Sequence, residues 1–358
     1  MANHTPFQRT ARYQAWLEAR QAQSQLRRCR VVTPLEGAQC LVDGQPAINF
    51  CSNNYLGLAA DSRLKAVAIA AIEQYGVGTG SARLVSGTAP LVAELEATLA
   101  EFKQAEAALV FNSGYQANVA ILQALTEDTD TLFLDKWNHA SLVDGALLCG
   151  ARWTRYAHGD LNHLEARLKA AHQKRSVDSA FWIVTDSVFS MDGDWAPLAE
   201  MVTLAERYDA CLMVDEAHAT GVYGPVRSSG LAEELGLSQA ITLQMGTLSK
   251  ALGGMGGYVA GSRVLIDTLI NRGRGFIYST AMPPASVAAA LAAVKLVQED
   301  RSVTQRLWAN HALLQQLAQE VGLPLQSPSP IFPWVVGDAP TAMAWSEQLL
   351  AAGYFVQG

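Results

Sequence analysis

The chain has 358 residues, 50% of them hydrophobic and 16% charged, with a formal net charge of −7. This mildly acidic balance excludes the basic footprint of a nucleic-acid-binding protein, and the longest apolar runs, such as Ala285 to Val294 with its single serine, fall well short of the ~20 residues that span a bilayer. Five scattered cysteines without a CxxC pair, and a polar stretch from Met1 to Arg20 with no signal-like apolar segment, predict a reduced, cytoplasmic protein with no membrane partner.

Residues 8 to 28 predict an amphipathic helix with Tyr13, Trp16 and Leu17 on one side, ending in the basic cluster Arg27, Arg28 and Arg30. Asp43-Gly44 marks the turn of a hairpin between Leu41 and Phe50, and a polar loop follows from Cys51 to Leu58. Leu64, Val67, Ala68, Ala71, Ile72 and Tyr75 recur at helical spacing. The glycine-rich Gly76 to Gly87 does not fit a dinucleotide fingerprint, because Ser81 stands where the third glycine would be needed. From Leu91 on, helices alternate with short apolar strands at Ala107 to Phe111, Thr131 to Leu134, Phe181 to Thr185, Leu212 to Val214, Ile241 to Gln244 and Tyr258 to Ala260. Such alternation predicts an α/β fold with a mainly parallel sheet covered on both faces. After Met282 the texture changes to two helices (Ala285 to Glu299, Arg301 to Glu320), a proline-broken loop, a strand at Trp334 to Val336, a helix at Ala342 to Ala352 and the start of a strand at Tyr354. The expected organisation is an N-terminal arm and hairpin over 1–45, a large domain over 46–283 and a smaller α+β C-terminal domain over 284–358.

Ligands of such sheets bind beyond the carboxyl ends of the strands. The polar clusters fall there: Asn112 to Tyr115, Asp135 to His139, Asp186 to Asp194, Asp215 to His218 and Gly246 to Lys250. Lys250 stands between small polar residues and the glycines 253, 254, 256 and 257, where backbone and ligand can approach closely. A lysine desolvated in such a place has a lowered pKa and attacks carbonyls, which makes it a candidate Schiff-base lysine; the plain alternative is a solvated surface charge. Pyridoxal phosphate accounts for all the clusters together, because it needs a lysine, an acid at the pyridine nitrogen, a stacking partner and a phosphate cradle. Asp215 is the candidate acid, His139 the candidate stacking ring, with a helix-capping or solvent histidine its ordinary alternative, and Gly114 and Tyr115 precede a helix whose free amides suit phosphate. Taken singly, Asp215 is equally a strand-end acid and His218 a satisfied core histidine. As a metal pair they lack a third ligand nearby in sequence.

The motifs NHAS (Asn138 to Ser141), FSMDGD (Phe189 to Asp194), VDEAHATGVYG (Val214 to Gly224), GTLSKALGG (Gly246 to Gly254) and YSTAMPP (Tyr278 to Pro284) resemble, in this order, those of the α-oxoamine synthases. These are fold-type I pyridoxal-phosphate-dependent transferases that condense an amino acid with an acyl-CoA and release carbon dioxide. NNYLGLA, RLVSGT, SMDGDWAPL and LSKALGGMGGYVAG are most similar to the branch that joins L-alanine to a pimeloyl thioester, carried by CoA or a carrier protein, in biotin synthesis. Other amino-acid and acyl preferences within the family, of the 2-amino-3-ketobutyrate CoA ligase or 5-aminolevulinate synthase type, and a pyridoxal-phosphate aminotransferase are the alternatives. The resemblance implies that Lys250 binds the cofactor covalently and shuttles a proton, that Asp215 pairs with the pyridine nitrogen and that His139 stacks on the ring and borders the substrate. It further implies that Ser190 and His218 bond the phenolic oxygen and that Gly114, Tyr115 and Thr247 contact the cofactor and its phosphate. Ser279 and Thr280 are implied to reach over from the second subunit of a homodimer with a shared active site. Arg27 is implied to meet the acyl substrate, and Asn54 to line the amino-acid pocket. Family members continue past the position of Gly358 with a strand and a carboxylate-binding arginine, so the C-terminal domain is expected to be truncated.

Overall fold

The computed structural model describes residues 6–358, and side chains from residue 10 onward. Two compact units emerge, one over 54–333 and one made of the chain up to residue 53 together with 334–358. The second begins with helix α1 (Pro6–Ala22), which stops short of the expected residue 28 because Ser24 takes a left-handed backbone, φ 55°. Strands β1 (Val32–Pro34), β2 (Gln39–Val42) and β3 (Gln45–Asn49) form an antiparallel meander. Its β2–β3 hairpin turns on Asp43 and Gly44, both at positive φ as a two-residue turn of this hand requires.

In the large unit come α2 (Ser62–Tyr75), α3 (Pro90–Phe102), β4 (Ala107–Phe111), α4 (Gly114–Leu125), β5 (Thr131–Asp135), α5 (Ala140–Leu148), β6 (Arg152–Tyr156), α6 (Leu161–His172), β7 (Phe181–Asp186) and α7 (Leu198–Arg207). They are followed by β8 (Ala210–Asp215), α8 (Leu231–Glu234), β9 (Leu243–Thr247), β10 (Gly257–Gly261), α9 (Arg263–Arg272), α10 (Arg274–Ile277), α11 (Pro284–Glu299) and α12 (Ser302–Glu320). Seven strands make one sheet in the order β4-β10-β9-β8-β7-β5-β6. All run parallel except β10, which is antiparallel to both neighbours. Because successive side chains alternate across a strand, the sheet feeds two separate cores. Val110, Phe133, Ile183 and Val214 face one, shared with α3 and α11; Leu109, Leu132, Val184 and Met213 face the other, shared with α4, α5 and α9.

Two strands of the large sheet differ from expectation. The edge strand β6 reads RWTRY, half-exposed and without an apolar run, so its pattern does not announce it. Strand β9 starts at Leu243 and runs through Gly246 to Thr247, so Lys250 lies only three residues past its end. The large unit also runs past the expected boundary at residue 283. Helix α11 packs against α2 and α3 and contributes Val287, Ala290, Leu291, Val294 and Val297 to their core, its many alanines allowing close approach.

The chain then leaves the large unit. Trp334 to Val336 forms no strand; the Trp334 ring instead meets Trp345 edge-on at 5.0 Å. Helix α13 (Ala339–Ala351) leads to β11 (Tyr354–Phe355), which adds to β3 in parallel. Among the described residues, no helix is long and apolar enough to cross a membrane.

Candidate active site

The parallel strands end at one edge of the large sheet, and the chemistry-bearing residues collect there. Asp186 and Asp215, the last residues of β7 and β8, are register partners, so two carboxyl groups lie side by side, each about 95% buried. Burial first, and then the neighbouring Asp215, hold the Asp186 pKa well above the usual carboxylate range. Asp215 accepts from the Ala217 amide at 2.8 Å and from Asn118 Nδ2 at 2.7 Å. The same Asn118 nitrogen donates to Ser141 Oγ at 2.9 Å, and that oxygen is 2.7 Å from His139 Nδ1. His139 caps α5, and its own amide donates to Asp186 Oδ2 at 3.0 Å. A continuous hydrogen-bonded chain thus joins the acid at the strand end to the candidate stacking histidine.

Lys250 completes the site from β9. Its Nζ is 2.8 Å from His218 Nε2, and His218 Nδ1 is 2.7 Å from the Tyr55 hydroxyl. Burial lowers the Lys250 pKa, against the opposing pull of Asp215 and Asp186. Burial, with Lys250 and His139 nearby, depresses His218 to about 3, so its imidazole is neutral at physiological pH. The turn carrying His218 is fixed from below, where Glu216 meets Lys103 in an ion pair with both side chains fully buried.

The phosphate cradle is built where α4 starts. Ser113 caps the helix by accepting from the Gln116 amide, while the first amides, those of Gly114 and Tyr115, have no carbonyl one turn back to bond. Gly257 passes so close that a Cβ on it would lie 2.6 Å from Gly114 Cα, and a Cβ on Gly114 would lie 3.8 Å from Thr247 Oγ1. Thr247 Oγ1 in turn donates to Gly256 O at 2.8 Å. Ser279 and Thr280 border the same helix end of their own chain, through Gln116 Nε2 (2.6 Å to Ser279 Oγ) and Asn112 Nδ2 (2.9 Å to Thr280 O).

Other sequence candidates have surroundings of their own. Ser190 makes no hydrogen bond to His218 or Lys250; its loop is pinned by His158, which bridges Asp135 at 2.9 Å and Asp194 at 2.8 Å. Asn54 Oδ1 accepts from the Ala59 amide at 3.2 Å, which closes its own loop. Arg27 is exposed on irregular chain in the other unit. Sequence reasoning assigned no role to Asp186, Asn118, Ser141 or Tyr55. The one usable signal was Asn118, an amide on the apolar face of α4 among alanines, isoleucine and leucines.

An amine beside a neutral histidine, an acid at the strand end, a ring donor tied to it and an open helix N-terminus are the four groups that pyridoxal phosphate needs, and the residues fit it. The family model for aminotransferase class I and II matches residues 45–358. The 8-amino-7-oxononanoate synthase of Geobacter sulfurreducens is 49% identical over 345 residues, 96% of this chain and 87% of that protein. Among solved structures, a serine palmitoyltransferase from S. paucimobilis with PLP and myriocin bound superimposes with a TM-score of 0.90 at 27% identity, covering 99% of this chain and 92% of the other. An 8-amino-7-oxononanoate synthase from Francisella tularensis gives a TM-score of 0.71 at 27% identity, covering 87% and 88%. The chain has the architecture of a fold-type I pyridoxal-phosphate enzyme, and it belongs to the class I and II aminotransferase family, on the branch occupied by the 8-amino-7-oxononanoate synthases.

Proposed function

We propose that this chain is a pyridoxal-phosphate-dependent acyltransferase that condenses L-alanine with pimeloyl-CoA, or with pimeloyl-carrier protein, to give 8-amino-7-oxononanoate, the free thiol and carbon dioxide in biotin synthesis. The observation that carries the proposal is the contact of Lys250 Nζ with His218 Nε2 at 2.8 Å beside two buried carboxyl groups. When bound, the cofactor supplies an electron sink for the substrate α-carbon. Lys250 would hold it, with Asp215 at the pyridine nitrogen, His139 over the ring, Ser190 and His218 at the phenolic oxygen, and Gly114, Tyr115 and Thr247 at the phosphate.

Lys250, held below the ordinary lysine pKa, has a larger fraction of free amine to take up the α-proton of alanine and return it to the product. His218, neutral and fixed at both ring nitrogens, is placed to donate to the oxygen of the new ketone as the carboxylate departs. Arg27 and Asn54 are assigned to the acyl and amino-acid substrates. We further infer a cytoplasmic homodimer in which Ser279 and Thr280 serve the site of the second copy. Supporting the dimer, Leu84, Val85 and Tyr278 present exposed apolar side chains on two segments joined by the Ala82–Thr280 bridge.

The test is thiol release from pimeloyl-CoA with pyridoxal phosphate and either L-alanine or glycine. Release that requires alanine, and that is lost in a folded Lys250→Ala protein, is the expected result. Normal turnover by Lys250→Ala removes the mechanism, and release with glycine alone assigns the chain to a different substrate pair.

A further inference from the structure

We propose that Tyr55 is a positioning residue that sets the tautomer of His218: its hydroxyl donates to Nδ1, so the single ring proton resides on Nε2, aimed at Lys250 and at any substrate oxygen bound there. This deepens the function proposed above and rests on the role given there to His218.

The geometry carries the argument. Both nitrogens of the ring are engaged, Nδ1 at 2.7 Å by the Tyr55 hydroxyl and Nε2 at 2.8 Å by Lys250 Nζ. The two rings lie 6.1 Å apart at 56°, so Tyr55 meets His218 through its oxygen and not by stacking. Tyr55 cannot easily swing away. It is partly buried against the core that includes Leu56, and it sits within the turn closed by Gly57 N–H to Asn54 O at 2.9 Å.

The direction of the bond follows from the chemistry of the three groups. A neutral imidazole has one proton and one lone pair, so whichever nitrogen accepts, the other must donate. A phenol facing an imidazole nitrogen forms its strong hydrogen bond as donor, and burial holds the Tyr55 hydroxyl in its protonated form well above the usual tyrosine pKa. With Nδ1 accepting from Tyr55, the ring proton is left on Nε2, which faces Lys250 Nζ at 2.8 Å, and the lowered lysine pKa favours the neutral amine that can accept it. Donation from Tyr55 through His218 to Lys250 satisfies all three. The opposite tautomer would turn a lone pair toward the site and leave His218 unable to donate to a ketone oxygen. Replacing Tyr55 by Phe removes the bias and keeps the ring that packs.

The experiment is long-range ¹⁵N–¹H NMR of histidine-labelled protein, loaded with pyridoxal phosphate, with the His218 signals assigned by their loss in His218→Gln. In the native protein His218 is expected to show a protonated Nε2 and a bare Nδ1. In Tyr55→Phe those signals shift toward a mixture of tautomers, and kcat for thiol release falls about 10- to 100-fold, within what one positioned proton donor contributes, while KM for alanine changes less than about twofold. A native His218 with its proton on Nδ1, or a Tyr55→Phe protein with unchanged tautomer or unchanged kcat, overturns the proposal. The native spectrum alone decides it if the variant does not fold. Failure of the proposed function would show separately, as no thiol release by native protein whatever the tautomer.

Discussion

Lys103→Met tests whether the turn that carries His218 depends on a charge hidden beneath it. Lys103 sits at the C-terminal cap of α3; its Nζ contacts Glu216 Oε2 and donates to Ser229 O at 2.8 Å. The other carboxylate oxygen of Glu216 accepts from the Ala232 amide at 2.8 Å. Both side chains are 0% exposed, and the Glu216 carboxylate packs against Gly230, where a Cβ would lie 2.4 Å from it. Methionine fills the volume of the lysine stem but leaves a buried carboxylate with a single amide. Breaking one side of such a pair costs about 3–5 kcal/mol. At about 2.1 cal/mol/K of unfolding entropy per residue, a chain of 358 residues loses about 1.3 °C of melting temperature per kcal/mol, so a fall of roughly 4–7 °C is expected. Burial works against the Lys103 charge, but Glu216, Tyr258 and Glu233 together outweigh it and the pKa is raised above the ordinary 10.5. A raised folded-state value means that the contribution of the pair is complete below pH 10.5 and is lost only above it, so the deficit of the variant is flat between pH 6 and 9. Thermal unfolding of native, Lys103→Met and Lys103→Met/Glu216→Gln proteins is the assay, and the double variant should recover most of the loss because a neutral amide is cheaper to leave half-bonded. A fall of less than about 3 °C, or a double variant no better than the single, would refute the reasoning.

Asn118→Ala removes the donor to Asp215 and to Ser141, and at about 1.5–3 kcal/mol for a hydrogen bond to a charged group it should weaken pyridoxal-phosphate affinity roughly 10- to 100-fold in an absorbance titration. Gly257→Ala drives a Cβ to 2.6 Å from the backbone of Gly114 and should cost about 1–3 kcal/mol together with cofactor affinity. Gly78→Ala, with nothing within 4 Å, is the neutral control. His218→Gln should flatten the acid limb of stability. The unfolded histidine protonates near pH 6.5 while the folded one stays neutral to about 3, so native protein loses stability as pH falls below 6.5. By pH 5 that loss is about 2 kcal/mol and absent in the variant, and parallel urea-midpoint curves for the two would refute it.

The sheet was legible because buried parallel strands are short apolar runs between amphipathic helices, and six of its seven strands announce themselves in this way. The edge strand β6 is solvated, so the hydrophobic signal that marks its neighbours is missing. Lys250, Asp215, His139 and His218 stand out in the sequence as candidates because each sits at a strand end among small or polar residues, and the fold brings them near one another through the contacts described. Tyr55 reads as one more aromatic in a polar loop, and only the packing of that loop places its hydroxyl on His218. Asp186 reads as a strand-end acid, and its pairing with Asp215 depends on a register between β7 and β8 that no local pattern encodes.

That register explains why consecutive residues in the Asp215-Glu-Ala-His218 turn do different work. Side chains alternate across β8, with Met213 in one core and Val214 in the other. Asp215 follows Met213 toward α4, where Asn118 ties it to Ser141 and His139. Glu216 continues on the side of Val214 toward the end of α3, where Lys103 holds it. The Glu216 amide also donates to Met245 O at 2.8 Å, which locks the turn to the strand that delivers Lys250. One face of the turn is therefore anchored by a buried charge pair, which steadies Asp215 on the opposite face and His218, three residues after Asp215, in addition to the contacts they make themselves. Loosening the Lys103 anchor should consequently raise the mobility of His218 and Asp215 together, a coupling that neither residue's local sequence would suggest.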